Sequence, residues 1–375
     1  MNRSLEVLFI SKPVSPPWND SSKNLVRDIA VNMRRYRPVI LSRRGVERDL
    51  PGVQADEIYP AGGAGRFSPA FADNARVMLH LLLRKPIHLW HFFFAPNPRS
   101  SRISAVASRL RRMATVQTIC SAPSLEVDIR SLLFADRTVV LSRHTEERLL
   151  ASGIEPKSVV RIPPAVRSPA SRTEEEKKAT RDRFRLPCDK LLLIYPGDLE
   201  FGTGAQKAIY ALADLPKGIS AHLVMACRAK TDRAQEEERR LRQLVQSLGV
   251  GLLVTWVGET SDIHALLAVA DLVLLPSETL YAKMDLPLVL IEAMALRRPV
   301  LVVSGTAAAE LADNQAAMAV DGSRESVSAA VSRLLDDREQ RNAMGERASL
   351  LVQERFEPCK VAAAYEKMYD EIVDN

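Results

Sequence analysis

Apolar positions along this chain follow two alternating patterns: short runs bounded by Pro, Gly or charged residues, and longer stretches with helical spacing. Short strands interleaved with amphipathic helices are the signature of βαβ units and parallel sheets. In the first half the pattern predicts strands at Leu5–Ile10, Pro38–Leu41, His88–Phe93, Thr115–Ile119 and Thr138–Leu141, with helices such as Ser22–Arg35 and Ser100–Arg112 between them. In the second half it predicts strands at Lys190–Tyr195, Ala221–Met225, Leu252–Val257, Leu272–Leu275, Val300–Val303 and Ala317–Val320. The last helix, Pro358–Val373, is amphipathic and is expected to pack back on the first domain.

The rhythm breaks once. Pro163 and Pro164 stop regular structure, and the polar stretch SPASRTEEEKKAT follows from Ser168 to Thr180. A chain of 375 residues suits two domains of about 150 to 200 residues each. The expected organisation is therefore a Rossmann-like domain over 1–168, a second Rossmann-like domain over 169–357, and a C-terminal helix over 358–375. Paired α/β domains of this kind bind ligands at the carboxyl ends of their strands, so the expectation is two parallel sheets facing across a cleft.

Composition narrows the class. The chain is 46% hydrophobic and 26% charged, as ordinary globular proteins are. No apolar run reaches the roughly 18 residues of a membrane span, and the N-terminal sequence reads as a strand, not a signal peptide. Cys120, Cys188, Cys227 and Cys359 form no CxxC pair and no metal-ligand spacing, which fits reduced thiols in the cytoplasm. Charge is lopsided: residues 1–165 hold 25 Lys and Arg against 14 Asp and Glu, leaving 27 against 32 in the rest. The basic first part, with Arg34, Arg35, Arg37, Arg43, Arg44, Arg109, Arg111 and Arg112, suits an acidic acceptor or the anionic inner face of a membrane; a solvated basic face is the plain alternative. No aromatic pattern interleaves these arginines, which argues against nucleic acid.

Two segments carry candidate chemistry. Tyr195-Pro-Gly-Asp-Leu-Glu-Phe-Gly-Thr-Gly-Ala205 runs from a strand through a glycine-rich turn into a helix, a form that lets backbone N–H groups approach phosphate. Thr203 stands where a P-loop needs Lys, and GxGxxG is absent, so neither of those motifs applies. In the second segment Glu292 interrupts the apolar stretch after Asp285; a carboxylate there needs a partner, and a ribose diol or a basic side chain would serve. In the first half, the loop from Pro13 to Asn24 leads into a helix whose start, with Asn19, Ser21 and Lys23, suits either an anion or simple capping.

These residues resemble the family-4 retaining glycosyltransferases of the GT-B fold. The resemblance runs from Tyr195 almost to the C-terminus, through Trp256-Val-Gly258, Ala270-Asp-Leu-Val-Leu-Leu-Pro-Ser277, Glu292-Ala-Met-Ala295, Pro299-Val300, Glu310-Leu311, Leu334-Leu-Asp-Asp337, Met344 and Phe356. It implies that Glu292 holds the donor ribose and that Trp256, Val257 and Gly258 lie near the base. It further implies that Gly197, Asp198, Thr203, Gly204 and the Leu286-Pro287-Leu288 segment contact the diphosphate, with Ser277 also on the donor side. It implies no metal and no cofactor besides the nucleotide-diphosphate sugar, because basic side chains neutralise the leaving group.

The sequence departs from the family at those basic positions. Asp198 and Thr203 stand where Arg and Lys are usual, so Lys283 and Arg228 are the expected substitutes, since a leaving diphosphate needs cationic stabilisation. Met284 replaces the first acid of the paired-acid motif; Asp285 beside it is preferred as the replacement over Glu278. Cys120 stands where a His commonly ends a first-domain strand, and His91 on a neighbouring strand is the other acceptor-side candidate. The expectation is a cytoplasmic glycosyltransferase with peripheral contact at the membrane's inner face, acting on a small-molecule, glycan or lipid-linked acceptor. Its rivals are a non-catalytic relative that binds a sugar nucleotide or a partner protein, and a GT-B epimerase or phosphorylase.

Overall fold

A computed structural model describes residues 5–18, 20–43, 45, 50, 52–60, 71–85, 87–94, 97–121, 123, 127–229, 231–260, 262–281 and 283–374. The chain divides into two compact units: one comprises 1–167, 281–286 and 355–375, the other 168–280 and 287–354. The short segment Tyr281–Leu286 thus belongs with the first unit, although the sequence reading assigned it to the second domain.

The first unit contains β1 (Leu5–Ile10), α1 (Ser21–Ala30), β2 (Tyr36–Arg43), β3 (Gln54–Tyr59), α2 (Phe71–Leu83), β4 (Leu89–Phe94), α3 (Pro98–Arg111), β5 (Ala114–Ile119), β6 (Arg137–Val140), α4 (Arg143–Ala151) and β7 (Val159–Arg161). Its strands form one parallel sheet in the order β3-β2-β1-β4-β5-β6-β7, with Leu8 opposite Val39 on one side and Trp90 on the other. Both faces are buried, as parallel sheets require. Leu8, Ile10, Val39, Leu41, Trp90 and Phe92 form one core layer, while Val7, Phe9, Ile40, His91 and Phe93 are buried on the alternate positions.

The second unit contains α5 (Glu174–Phe184), β8 (Leu191–Tyr195), α6 (Gly204–Ala213), β9 (Ala221–Met225), α7 (Asp232–Ser247), β10 (Val254–Trp256), α8 (Ile263–Ala268), β11 (Leu272–Leu275), α9 (Leu288–Ala295), β12 (Val300–Val303), β13 (Met318–Val320), α10 (Arg324–Asp336) and most of α11 (Arg338–Arg355). The parallel sheet order β10-β9-β8-β11-β12-β13 is the dinucleotide-fold order, and it reverses between β8 and β11. The loops after those two strands therefore diverge and leave room for a ligand at their carboxyl ends.

The final helix, α12 (Pro358–Val373), lies in the first unit and is fastened by polar contacts. Glu366, nearly fully buried, accepts from the backbone N–H groups of Arg34 (2.7 Å), Arg35 (2.6 Å) and Tyr36 (3.1 Å). Asp370 takes the Tyr36 hydroxyl at 3.0 Å and an ion pair from Arg35. This explains why α1 ends at Ala30 and not at Arg35 as expected: the N–H groups that would extend the turn into β2 are committed to α12. No helix among the described residues is long and apolar enough to cross a membrane.

Candidate functional site

The glycine-rich turn forms around a tyrosine. Tyr195 ends β8 fully buried, and its hydroxyl donates to the Asp198 carbonyl at 2.8 Å. A Cβ at Gly197 would collide with the Tyr195 ring, and one at Gly204 would collide with the Ser277 hydroxyl beneath the first turn of α6. Packing alone thus requires both glycines. Asp198 Oδ1 accepts from the Glu200 (2.7 Å) and Phe201 (3.0 Å) N–H groups, so the residue at the expected Arg position fixes the turn's own backbone.

At the end of that turn a carboxylate sits on the α6 N-terminus. Glu278, just after β11, accepts from the Thr203 N–H at 2.9 Å and the Thr203 hydroxyl at 3.1 Å, and Lys207 Nζ donates to its other oxygen at 3.1 Å. Burial pulls the Glu278 pKa up, but its own backbone N–H, Lys207 and Thr203 outweigh that and the net shift is downward. A helix N-terminus with a lysine one turn in is an anion site, and here a side chain of the protein fills it. Lys207 was missed by sequence reasoning, although it lies only four residues beyond Thr203, one helical turn from the vacant Lys position.

The neighbouring strand ends add further charge. Arg228, after β9, is mostly buried and pairs with Glu259, after β10, at 2.6 Å. Thr231, capping α7, donates to Glu200 of the glycine-rich turn at 2.7 Å, which links the loops after β8 and β9. Trp256 ends β10 with the Arg242 guanidinium 4.4 Å from its ring centroid. Trp256, Val257 and Glu259 face the end of α5 across a recess of about 330 Å³. A recess of about 380 Å³ lies along β10, between α7 and the strand's first and last residues, Val254 and Trp256.

Glu292 lies in α9, whose first residue is Leu288 and whose preceding Pro287 makes no side-chain cap. Its Oε1 is 3.3 Å from His264 Nε2, in the first turn of α8. The hydrogen bond to Glu292 raises the His264 pKa, against the opposing effect of burial. His264 also escaped the sequence reading; Asp262-Ile263-His264 at a helix start was the available signal.

Other candidates belong to the first unit. Lys283 and Leu286 lie in the Tyr281–Leu286 segment with Asp285, so they are not in the unit that holds Arg228, Ser277 and the glycine-rich turn. Asp285 is fully buried; its N–H donates to the Cys120 carbonyl at 2.9 Å, and its Oδ1 accepts from the Thr145 hydroxyl at 2.6 Å. Burial raises its pKa although Ser142, Thr145 and His144 oppose the shift. Its place is thus that of a buried tether, not of a carboxylate offered to sugar hydroxyls. Cys120 is buried at the end of β5, with its thiol pKa pushed up to about 12 by burial, and is no nucleophile.

His91 likewise differs from expectation. It is fully buried, with Nδ1 2.5 Å from the Tyr369 hydroxyl, Nε2 2.7 Å from the Thr118 hydroxyl, and the ring stacked on Phe93. Burial holds its pKa well below the ordinary value, so it is a neutral packing residue that helps seat α12. Asn19 lies outside the described residues. Asp20 caps α1 and pairs with Lys12 at 3.2 Å; Ser21 is exposed at the helix start. Lys23 Nζ donates to the carbonyls of Ser15 (2.9 Å) and Pro17 (3.0 Å), and burial lowers its pKa despite Asp20.

Comparison with known proteins agrees with the geometry of the second unit. Residues 176–350 match the family Glycosyl transferases group 1. Among curated proteins, N-acetyl-alpha-D-glucosaminyl L-malate synthase of Bacillus anthracis is 33% identical over 133 residues, which are 35% of this chain and 34% of that protein. The chain thus matches about a third of that relative's length. Among solved structures, a glycosyltransferase from Rickettsia africae superposes with a TM-score of 0.79 at 17% identity, covering 100% of both chains. Anabaena HepE, solved in complex with UDP, gives 0.76 at 17% identity over 98% of this chain and 100% of that one. Residues 176–350 are therefore similar to the Glycosyl transferases group 1 family, and the chain has the fold of these solved structures.

Proposed function

We propose that the chain is a glycosyltransferase that takes a sugar from a nucleoside-diphosphate sugar, with the second unit binding the donor. The observation that carries this reading is the carboxylate of Glu278 on the α6 N-terminus: the loops at the sheet's switch point hold an anion, using the Thr203 N–H and Lys207. A donor diphosphate would displace Glu278 and inherit both partners. Lys207 then supplies the charge that Thr203 lacks, with Arg228 beside it once drawn from Glu259. Glu292 would accept the ribose hydroxyls, held in place by His264. UDP is the preferred nucleotide, because HepE has been solved with UDP and with UDP-glucose.

In the reaction, the bond between the anomeric carbon and the diphosphate oxygen breaks as the acceptor oxygen bonds to that carbon. The acceptor proton passes to the departing diphosphate, whose growing negative charge Lys207 and the α6 N-terminus stabilise. Retention of configuration and the absence of a metal are carried over from the family resemblance, and a glycan or lipid-linked acceptor is read from the basic first domain. A second reading, a relative that binds a sugar nucleotide without turnover, is favoured by one observation: Asp198 and Thr203, where Arg and Lys are usual, make the turn more acidic than its family form.

The test is binding and hydrolysis of UDP-, GDP-, TDP- and ADP-sugars by wild type, Glu292→Ala and Lys207→Ala. Saturable binding of one donor with slow sugar release, both lost in the variants, supports the transferase. Binding without release supports the second reading, and no binding to any donor overturns both.

A further inference from the structure

Helix α3 is amphipathic in the wrong sense for a core helix. It buries Ser101, Ser104, Ala107 and Ser108, while Ile103, Val106 and Leu110 are 50%, 66% and 71% exposed. At 100° per residue those three lie together, and exposed Arg99, Arg102 and Arg109 share the same arc of about 120°. The helix contains no acidic residue. Arg99, Arg102, Arg109 and Arg112 make no ion pair among the described residues. Beside α3, the end of α2 exposes Leu79 (58%) and Leu83 (74%). Arg111 fixes the two helix ends together through the carbonyls of Leu82 (3.1 Å) and Arg84 (2.7 Å).

We infer that this α2–α3 face docks on an anionic lipid surface, with Ile103, Val106, Leu110 and Leu83 entering the headgroup region and the arginines binding lipid phosphates. An exposed aliphatic stripe flanked only by arginines has charge and polarity that match such a surface. A second copy of the chain fits less well. The stripe is about 21 Å long and 10 Å wide, roughly 200 Å², against about 800 Å² per partner in a stable interface. Each copy would also bring the same unpaired positive charges. The inference stands on this surface alone and is independent of the proposed activity. It moves membrane contact away from Arg34, Arg35 and Arg37, whose backbone and side chains are drawn into contacts with Glu366, Asp370 and Glu6.

The experiment is flotation of the full chain with phosphatidylcholine vesicles, with and without phosphatidylglycerol. Variants are Ile103→Ser/Val106→Ser/Leu110→Ser, Arg99→Gln/Arg102→Gln/Arg109→Gln, and Leu252→Ser as a control at an exposed leucine of the second unit, with circular dichroism to verify folding. Expected is binding only to anionic vesicles, weakened by salt, lost in the serine variant, reduced about fivefold per arginine removed, and unchanged in the control. Absence of anion-dependent binding, or equal loss in Leu252→Ser, overturns the inference. So does a concentration-dependent dimer that the serine variant disperses, which assigns the face to a second copy.

Discussion

Lys207 Nζ and Glu278 Oε2 lie 3.1 Å apart, joining residues 71 positions distant across the point where the second sheet reverses its strand order. Their pairing places a carboxylate on the α6 N-terminus, where an incoming diphosphate would compete for the same N–H and the same ammonium. Glu278 is about half exposed, so the ion pair itself contributes little to stability. Glu278→Gln removes a negative charge from the donor's path and should tighten UDP binding about tenfold, with a Tm within a few degrees of wild type. Isothermal titration of UDP checks this; weaker binding in Glu278→Gln would mean that Glu278 supports the donor.

The fold was legible because fully buried parallel strands are continuous apolar runs. Strands β9, β11 and β12 were read with their observed bounds, as was α12. Strand β3 was not, because an edge strand carrying Gln54, Asp56 and Glu57 has no such run. The glycine-rich turn could be found by spacing within one segment. The Lys207–Glu278 and His264–Glu292 pairs could not, since each joins loops or helices that only the sheet's crossover brings together. His91 was misjudged for a related reason: with both faces of a parallel sheet buried, alternation cannot tell a packed histidine from a ligand-facing one.

Gly204 and Gly218 separate packing from chain entropy. A Cβ at Gly204 meets the Ser277 hydroxyl and the Tyr195 hydroxyl, whereas nothing lies within 4 Å of one at Gly218. Gly204→Ala should destabilise the protein by about 1–3 kcal/mol, and Gly218→Ala should stay within about 0.5 kcal/mol of wild type. Urea denaturation followed by circular dichroism measures both. A neutral Gly204→Ala would show that Ser277 relaxes and that the turn's shape does not depend on the glycine.

The His264–Glu292 pair makes a pH-dependent contribution. The folded-state pKa of His264 is raised, so its stabilisation is fully present below the unfolded value near 6.5 and is lost as pH rises through the folded value. His264 is 41% exposed, which limits the effect to less than about 0.5 kcal/mol. The Tm difference between wild type and His264→Gln should therefore be larger at pH 5.5 than at pH 8.5, as pH values of about one unit below and two above the ordinary imidazole value. A difference that is constant across this range would mean that the pair is not charged in the folded protein.

Asp285 makes the opposite argument to the usual buried carboxylate. Its folded pKa is raised by burial, so the folded state binds its proton more tightly than the unfolded chain does. Stability from this group is therefore greatest below the ordinary carboxylate value and declines as pH rises from there toward the raised one. Ionising the group places a charge in a fully buried position with the Thr145 hydroxyl as a donor. Asp285→Asn keeps an oxygen for that hydroxyl, leaves the backbone bond to Cys120 intact and removes the charge. Its Tm at pH 7 should be no lower than that of wild type, with the variant's advantage shrinking toward pH 4. Scanning calorimetry across that range decides it: a variant several degrees less stable at pH 7 would show that Asp285 is held as a carboxylate by partners worth more than its burial costs.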